Sequence, residues 1–487
     1  MGLAVFSTIF DLGLKTAWFV IVLSLVAVVS VILFFVFSKH RQRMLCVLIG
    51  AFVLAFIRMP FAVPDVITPG EYELSGAVKE ISETKPDTVV LTDAVLGGSK
   101  LRYNLRLKIS GDNVSVPKIG DRIRTTCEAK LPAAAFGSYD ERLTLLASGI
   151  SVKAGCADYE IVSENGLPVT RKLDSIKRFL SERIDLLFPE NAPIVKAFLI
   201  GDRSGVDESD IDSFRESGAM HLLTISGLHV GVLTAALFFI LPKRYPILRL
   251  TVISAFLFVY CAMTAFAPSL VRASIMSISA ILAEAAEEKR DSLSSLSLAA
   301  IVILFVSPYK LWSVGFRLSF AACFGIFMLL SPGAVKKRGI LGKLLGSALI
   351  TLGATAATSM ISAHYFSTFP TYGLISNLFA VPIFSLIIIL SFAALVVGAA
   401  IPSAGAVIAF LPDKMINTAV WLLQTIRALP YSELEVTPPS TLTCVLMLIL
   451  MFTISAYVLR PLKQRLKFSV CTLLIFTASL FADIIKA

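Results

Sequence analysis

Histidine is almost missing from this chain, with four residues in 487. Two of them, His221 and His229, stand eight positions apart, which is not ligand spacing on one helix turn, and no third ligand is near. Seven cysteines form no CxxC step and no Cys/His pairing. Neither a metal nor another cofactor is expected. No Gly-x4-Gly-Lys-Ser/Thr run occurs, so energy from a bound nucleotide would have to come from elsewhere. The stretch Thr224-Ile225-Ser226-Gly227-Leu228 fails the G-x-S-x-G pattern of a hydrolase, because Thr and Leu stand where its glycines belong. Acidic residues are scarce as well. Residues 61–220 carry 25 acidic and 20 basic side chains, and the other 327 residues carry 9 acidic and 24 basic. No catalytic residue is assigned, and the chain is expected not to be an enzyme.

Apolar sequence is what the chain has in abundance. Its hydrophobic fraction is 56%, against roughly 45–50% in soluble domains even with glycine counted. Runs of 18 or more apolar residues recur, the signature of a polytopic α-helical membrane protein. Two spans are expected within 1–60, near 17–37 and 44–57, joined by a basic hairpin with Lys39, Arg41 and Arg43. Further spans are expected in 221–487, near 250–267, 269–283, 293–307, 312–332, 344–365, 372–399, 441–459 and 468–484. The Pro-punctuated piece 401–430 reads as re-entrant or interfacial, for about 10–12 spans in all. Basic loops at Lys243–Arg249, Lys336–Lys343 and Arg460–Lys467 mark the cytoplasmic side, and the acidic loop Ser432–Ser440 marks the other. The net charge of +10 follows from this topology and is not evidence for nucleic acid.

Residues 61–220 read as periplasmic or otherwise extracytoplasmic, and within them the polar module 61–165 reads as β-rich. Leu101, Tyr103, Leu105, Leu107 and Ile109 share one parity. Ile123, Thr125, Cys127, Ala129 and Leu131 share another, as do Ile150, Val152, Ala154 and Cys156. Several short strands at this spacing suggest a small barrel of the OB type. Arg102, Arg106, Lys108, Arg122, Arg124 and Lys130 fall on the outward parity and are either a nucleic-acid face or an ordinary solvated one. Tyr103 on the inward parity is no obvious stacking platform. Cys127 and Cys156 face inward, as a disulfide or as two buried thiols. Residues 166–220 read as amphipathic helices, lying on the membrane or on the barrel.

Some residues are costly to keep. Arg272 and Arg317 lie within apolar runs, where a charge costs roughly 2.5–3.5 kcal/mol or more on insertion scales. Each either serves a function or snorkels to an interface. Asn377 is an amide in an apolar run with Pro382 five residues on, suited to a broken helix or an interhelical hydrogen bond. Ser226 and Gly227 predict a break in the chain, with a half-helix starting near His229 whose first amides face an anion.

At these residues the sequence resembles the ComEC family of competence DNA-uptake channels. Phe136-Gly137-Ser138-Tyr139-Asp140 with Gly149-Ile150, Leu199-Ile200-Gly201-Asp202, and Gly218 through His229 with its Thr224-Ile225-Ser226-Gly227-Leu228-His229 end follow the family's order. So do Arg272-Ala273, Gly315 through Phe320, and Asn377 through Pro382. The resemblance implies inward passage of single-stranded DNA through a bacterial inner membrane during natural transformation. It places His221, Ser226, Gly227, His229, Arg272, Arg317 and Asn377 on the DNA path. It also implies membrane lipids, a DNA receptor, a nuclease, a cytoplasmic motor and further copies of the chain as partners. The family usually carries Gln where this chain has Arg317. Many members end in a metallo-β-lactamase-like domain with a His-x-His-x-Asp-His run, which is not found here, so that domain is expected to be absent. A membrane-embedded enzyme using His221, Ser226 and His229, or a channel for another anionic solute, remains the alternative.

Overall fold

The computed structural model describes residues 67–82, 87–110, 117–132, 140–163, 167–242, 244–288, 291–329, 340–455 and 462–486. The two spans expected within 1–60, the Phe136–Tyr139 motif and the basic residues 336–338 lie outside the described residues.

Five strands close a barrel. They are β1 (Gly70–Ile81), β2 (Thr88–Leu96), β4 (Asn104–Ile109), β5 (Arg122–Lys130) and β6 (Ile150–Cys156), with the two-residue β3 (Ser99–Lys100) extending the β2 hairpin. Neighbours run β1-β2-β4-β6-β5 and back to β1, all antiparallel except β4 with β6. A short edge strand, β7 (Glu160–Ser163), pairs with β5. Helix α1 (Glu141–Ala147) joins β5 to β6, and the Asp140 side chain caps it by accepting the Leu143 N–H at 3.0 Å. Inward residues from every barrel strand fill the interior, with Leu74, Val78, Val89, Leu91, Leu105, Leu107, Ile123 and Val152 fully buried. The closed order fits the OB-type barrel expected from the alternation.

Parity holds where the ladder is regular. On β5 and β6 the residues of the expected inward parity are buried through Ala129 and Cys156. It fails at the ends. Leu131 lies past the last ladder pair and is exposed, and Tyr103 precedes β4 and turns its ring to Tyr309 of the helical domain, 6.1 Å away. Alternation does not betray β1, because two register shifts, after Ser75 and after Val78, bury Gly76, Ala77 and Val78 in succession.

The helical domain begins with α2 (Pro168–Leu187), α3 (Ala192–Ile200), α4 (Glu208–Glu216) and α5 (Met220–Leu223). Only Ile184 and Leu187 of α2 are buried, and Ile176, Phe179 and Leu186 stay exposed. By contrast α3 is buried nearly throughout and is core rather than an amphipathic surface element. Then come α6 (Gly227–Ile240), α7 (Pro246–Met263), α8 (Pro268–Ala285), α9 (Ser292–Val306), a 3-10 turn (Pro308–Trp312), α10 (Val314–Leu329) and α11 (Ile340–Phe366). The short ribbon β8 (Thr368–Pro370) and β9 (Glu433–Glu435) brackets α12 (Gly373–Ala400) and α13 (Pro402–Arg427), and α14 (Thr441–Ile454) and α15 (Leu462–Lys486) follow. Among the described residues α7, α8, the 346–366 part of α11, α12 and α13 are long and apolar enough to cross a membrane, and α6, α9, α10 and α14 are shorter apolar helices. The chain is a multi-pass α-helical membrane protein carrying a small β-barrel.

One expectation is corrected. Residues 402–427 form a single helix, α13, rather than a broken re-entrant piece. Pro402 sits in the first turn, where its missing N–H costs nothing. A polar stripe along α13 binds the helices before it. Asn191 Nδ2 donates to Asp413 Oδ1 at 2.9 Å, Lys414 pairs with Glu190 at 2.8 Å, and Arg427 Nε pairs with Glu216 at 3.2 Å. The second proline of 401–430, Pro412, is accommodated inside α13 without ending it.

The largest core joins α2 through α8 with α12 and α13, centred on Phe198, Phe214 and Phe384, whose rings meet at 5.5 and 6.5 Å. A second, smaller core joins α10, α11 and α14. There the backbones of α10 and α11 nearly touch: a Cβ at Gly325 would lie 2.1 Å from the Gly353 carbonyl oxygen. Such small-residue crossings let helices approach in lipid. Gly325→Ala should force α10 and α11 apart and cost about 1–3 kcal/mol. Gly231→Ala, where nothing lies within 4 Å, should leave stability unchanged or raised. Thermal unfolding of the purified variants checks both, and equal melting would refute the close crossing.

Candidate functional site

Three residues before α6 the chain runs extended, and Ser226 (φ −134°, ψ 177°) is its N-cap. Its Oγ accepts the Leu228 N–H at 3.3 Å. His229 Nδ1 accepts the Ser226 backbone N–H at 3.1 Å, completing a reciprocal capping box with His where Glu or Gln usually stands. The helix break expected at Ser226-Gly227 is therefore present. Of the first-turn amides, those of Leu228 and His229 are met by the Ser226 side chain rather than left for an anion. Accepting at Nδ1 assigns His229 the tautomer with its proton on Nε2. That Nε2 is buried without a hydrogen-bond partner.

Arg272 faces the break. It lies one turn into α8, is 6% exposed, and donates from Nη1 to the Ser319 carbonyl and to Cys323 Sγ (2.9 Å), both on α10. Its Nε has no partner. At Gly227 an added Cβ would fall 2.1 Å from Arg272 Nη2, so only glycine leaves room for the guanidinium over the start of α6. Snorkelling is excluded by this burial. No carboxylate pairs with Arg272 among the described residues. The one acid on α8, Glu284, is twelve residues away and lies 3.6 Å from Arg249.

A second polar knot sits beside the first. Gly218 (φ +74°) ends the turn after α4, and a Cβ there would meet Gly373 Cα at 2.9 Å. At the start of α12, Ser376 donates to the Ser217 carbonyl and Asn377 Nδ2 to the Gly218 carbonyl (3.2 Å), while Asn377 Oδ1 stays buried and unpartnered. Asn377 thus makes the interhelical bond, and α12 continues unbroken through Pro382. His221, on α5 between the two knots, is exposed.

Arg317 stands apart from both knots. Its Nε donates to the Leu311 carbonyl (2.8 Å) and its Nη1 to Tyr365 Oη (2.5 Å). It lines a cavity of about 180 Å³ with Trp312 and His364, whereas a second, apolar cavity of about 90 Å³ lies among Leu233, Phe256 and Phe392. Neither of these two cavities is lined by His221, His229, Arg272 or Asn377.

The basic strand face divides in two. In register, Arg106 of β4 and Lys130 of β5 both oppose Lys153 of β6, so three cations line up across adjacent strands, with Lys108 two residues along β4. Lys153 shares its charge with Glu141 at 2.6 Å and Lys130 with Glu128 at 3.0 Å. Arg122 and Arg124 lie at the far end of β5, where Arg124 opposes Glu160. Asp93 there is held below the usual carboxylate range, first by its hydrogen bond from Lys100 and also by the Arg122 charge. Arg102 is exposed just before β4. Cys127 and Cys156 are buried free thiols. The β5–β6 register, which pairs Glu128 with Gly155, sets them opposite each other. Burial pushes the Cys127 thiol up to about 11, with Cys156 adding to the effect.

Sequence reasoning missed Ser319 and Cys323. One acts through its backbone carbonyl, which no side-chain pattern reveals. The other is a plain apolar-run cysteine, although the i, i+4 spacing does put both on one face of α10. Lys153 was also missed, since only the strand order makes it the neighbour of Arg106 and Lys130.

A family model described as Competence protein matches residues 198–461. ComE operon protein 3 of Bacillus subtilis is 27% identical over 373 residues, covering 73% of this chain and 47% of that protein. An uncharacterized protein of Aquifex aeolicus is 29% identical over 171 residues, covering 35% of this chain and 39% of that protein. One from Mycoplasma genitalium is 30% identical over 164 residues, covering 34% and 41%. The matches thus span less than half the length of each relative. No solved structure matches the chain.

Two outcomes are expected. Alkylation at pH 8 should spare Cys127 and Cys156 in the folded protein, because an unfavourable thiolate is a poor nucleophile, and should reach both after denaturation without reductant. Protection that persists in denaturant and yields only to reductant would show a disulfide instead. Gly227→Ala should displace the Arg272 side chain and lower thermal stability by about 1–3 kcal/mol. Restoration of stability by adding Arg272→Ala would trace that loss to the one contact.

Proposed function

The chain belongs to the competence protein family, and from that premise we propose that it passes single-stranded DNA inward through the bacterial cytoplasmic membrane during natural transformation. One observation carries the reading. Arg272 is a guanidinium buried among apolar helices with no carboxylate partner among the described residues, and the buried His229 ring lies at the same break. A buried cation with no carboxylate partner among the described residues asks for an anion, and a phosphate backbone supplies one charge after another. An unpaired charge at this depth is expensive and is retained where a charged cargo or path uses it.

In this reading residues 61–165 are the extracytoplasmic barrel, 166–220 the connecting helices and 221–487 the translocation domain. Arg106, Lys108, Lys130 and Lys153 form the barrel's phosphate-facing row. Arg122 and Arg124 lie at the far end of β5, outside that row. His221 and Asn377 flank the break, and Arg317 acts earlier on the path. The driving force comes from a cytoplasmic motor, and a receptor and a nuclease deliver the strand. The enzyme alternative finds less support. Ser226 Oγ does lie 3.1 Å from His229 Nδ1, but that nitrogen already accepts a backbone N–H. The far nitrogen also lacks the carboxylate that orients a catalytic histidine.

Arg272→Ala should lower passage of labelled DNA into the DNase-resistant cytoplasmic pool by about 10- to 100-fold, the worth of a charged hydrogen bond, at an unchanged level of membrane-inserted protein. Arg272→Lys should recover part of it. Wild-type passage in Arg272→Ala would make the residue structural. Wild-type passage in a strain lacking the protein would remove DNA as the cargo.

A further inference from the structure

We propose that the joint between the barrel and the helical domain is a receiving platform that takes one nucleotide of a single strand, its base against Trp312 and Tyr365 and its phosphate on Arg317. The proposal rests on DNA as the cargo and adds where and how the strand is first held.

The joint is aromatic. Tyr309 of the 3-10 turn is buried with Leu146 of α1, and Tyr103, Leu143 and Trp312 pack on them. Tyr103 meets Tyr309 edge-on at 6.1 Å, and Tyr309 meets Trp312 at 6.4 Å. Beside this stack lies the cavity of about 180 Å³, lined by Asp140, Thr144, Trp312, Arg317, His364 and Tyr365 among others. It is smaller than the roughly 300–1,000 Å³ of a drug-sized ligand site and suits a single planar ring.

Arg317 is oriented before any ligand arrives. Nε is fixed on the Leu311 carbonyl and Nη1 on Tyr365 Oη, and the guanidinium lies 5.7 Å from the Tyr365 ring centroid. Nη2 is the remaining donor group. His364 is held by the Pro439 carbonyl at 2.7 Å from Nδ1, which leaves Nε2 as its other ring nitrogen.

Cations gather around the joint. Arg142 of α1 acts on the Tyr309 hydroxyl. Burial, together with the Lys79 charge from β1, holds the Lys310 ammonium below its usual range, with Glu80 opposing. The acids facing the joint are Glu80, Asp140 and Glu141. Asp140 is engaged as the α1 cap and Glu141 with Lys153. Lys79, Arg142, Lys310 and Arg317 thus stand at the joint beside Glu80 and the cavity-lining Asp140, whose carboxylate also caps α1.

Aromatic faces within a cationic rim are how single strands are held without sequence preference. Bases of a duplex are stacked inside and cannot enter such a cavity without being flipped out. The divided basic face of the barrel offers no equivalent. The joint also leads onward, because α10 carries Arg317 and, two and six residues later, the Ser319 and Cys323 partners of Arg272. At 1.5 Å rise per residue that is about 3–9 Å along one helix.

The test uses the full chain in lipid nanodiscs. Its three tryptophans are Trp18, Trp312 and Trp421, so Trp18→Phe with Trp421→Phe leaves Trp312 as the only reporter. Oligodeoxythymidylate should quench Trp312 emission, and the same length of duplex should not. Affinity read from a labelled oligonucleotide should fall about tenfold or more in Trp312→Ala, as for a lost base–aromatic stack, and in Arg317→Gln, which keeps a hydrogen-bonding side chain and guards against misfolding. An oligonucleotide that binds while Trp312 emission and both variants' affinities stay unchanged overturns the platform and leaves the DNA reading standing. Equal quenching by duplex overturns single-strand selection. Absence of any binding, together with normal DNA passage in a strain lacking the protein, overturns the DNA reading and the platform with it.

Discussion

A guanidinium buried without a carboxylate is the constraint on which the rest of this molecule turns. Arg272 cannot be hydrated where it sits, so neighbouring backbone must meet it. The Ser319 carbonyl does so from α10, together with Cys323 Sγ. Its other side presses on Gly227, where no side chain fits. A glycine at the first position of α6 in turn needs a strong cap to hold the helix start, and Ser226 with His229 provides it. One charge thus fixes the residue at 227, the cap at 226, the ring at 229 and the approach of α10. The arrangement is electrostatically uphill, since a cation beside a helix N-terminus opposes the helix dipole.

The Gly218 turn is the counterpart on the other side of α5. It gives up two backbone carbonyls, those of Ser217 and Gly218, to Ser376 and Asn377, so the start of α12 is registered against the end of α4. The polar stripe of α13 then ties the same helices at Glu190, Asn191 and Glu216. The segment 218–229 is consequently held at both ends by hydrogen bonds to backbone rather than by apolar packing alone. His229 and Arg272 are each held by named contacts, His229 by the Ser226 cap and Arg272 by the Ser319 carbonyl and Cys323.

Much of this was legible in the sequence, and the reasons for the rest are specific. Strand alternation placed the cores of β4, β5 and β6 because their ladders are regular. It missed β1 because two bulges erase the period. Span positions were legible from apolar runs, with α8, α9 and α12 starting within a residue of expectation. The 401–430 piece misled because its prolines look like breaks, whereas Pro402 starts α13, Pro412 is carried within it and Pro430 follows it. Arg272 was visible as a charge in an apolar run. Its partners were not, since a backbone carbonyl leaves no mark in sequence, nor does the pressure on Gly227. At the start of α6 the Leu228 and His229 amides are already met by Ser226, a cap that the serine's place before the helix makes legible only once the helix start is known.

The scarcity of acids in the helical domain follows from the same physics. A carboxylate within reach of Arg272 would stabilise the apo protein, and it would also cancel the positive field and present a like charge to an incoming phosphate. The described acids of the transmembrane helices are instead engaged elsewhere: Glu284 with Arg249 near the end of α8, Asp413 with Asn191, and Asp483 with Thr443 at 2.6 Å. The acidic excess is confined to residues 61–220, where solvent screens it within about 8–10 Å. At the joint the same logic is met by occupation, since Asp140 and Glu141 are each tied to a donor of the barrel. Among the described residues carboxylates are thus left out around Arg272, and at the joint Asp140 is engaged as the α1 cap and Glu141 with Lys153.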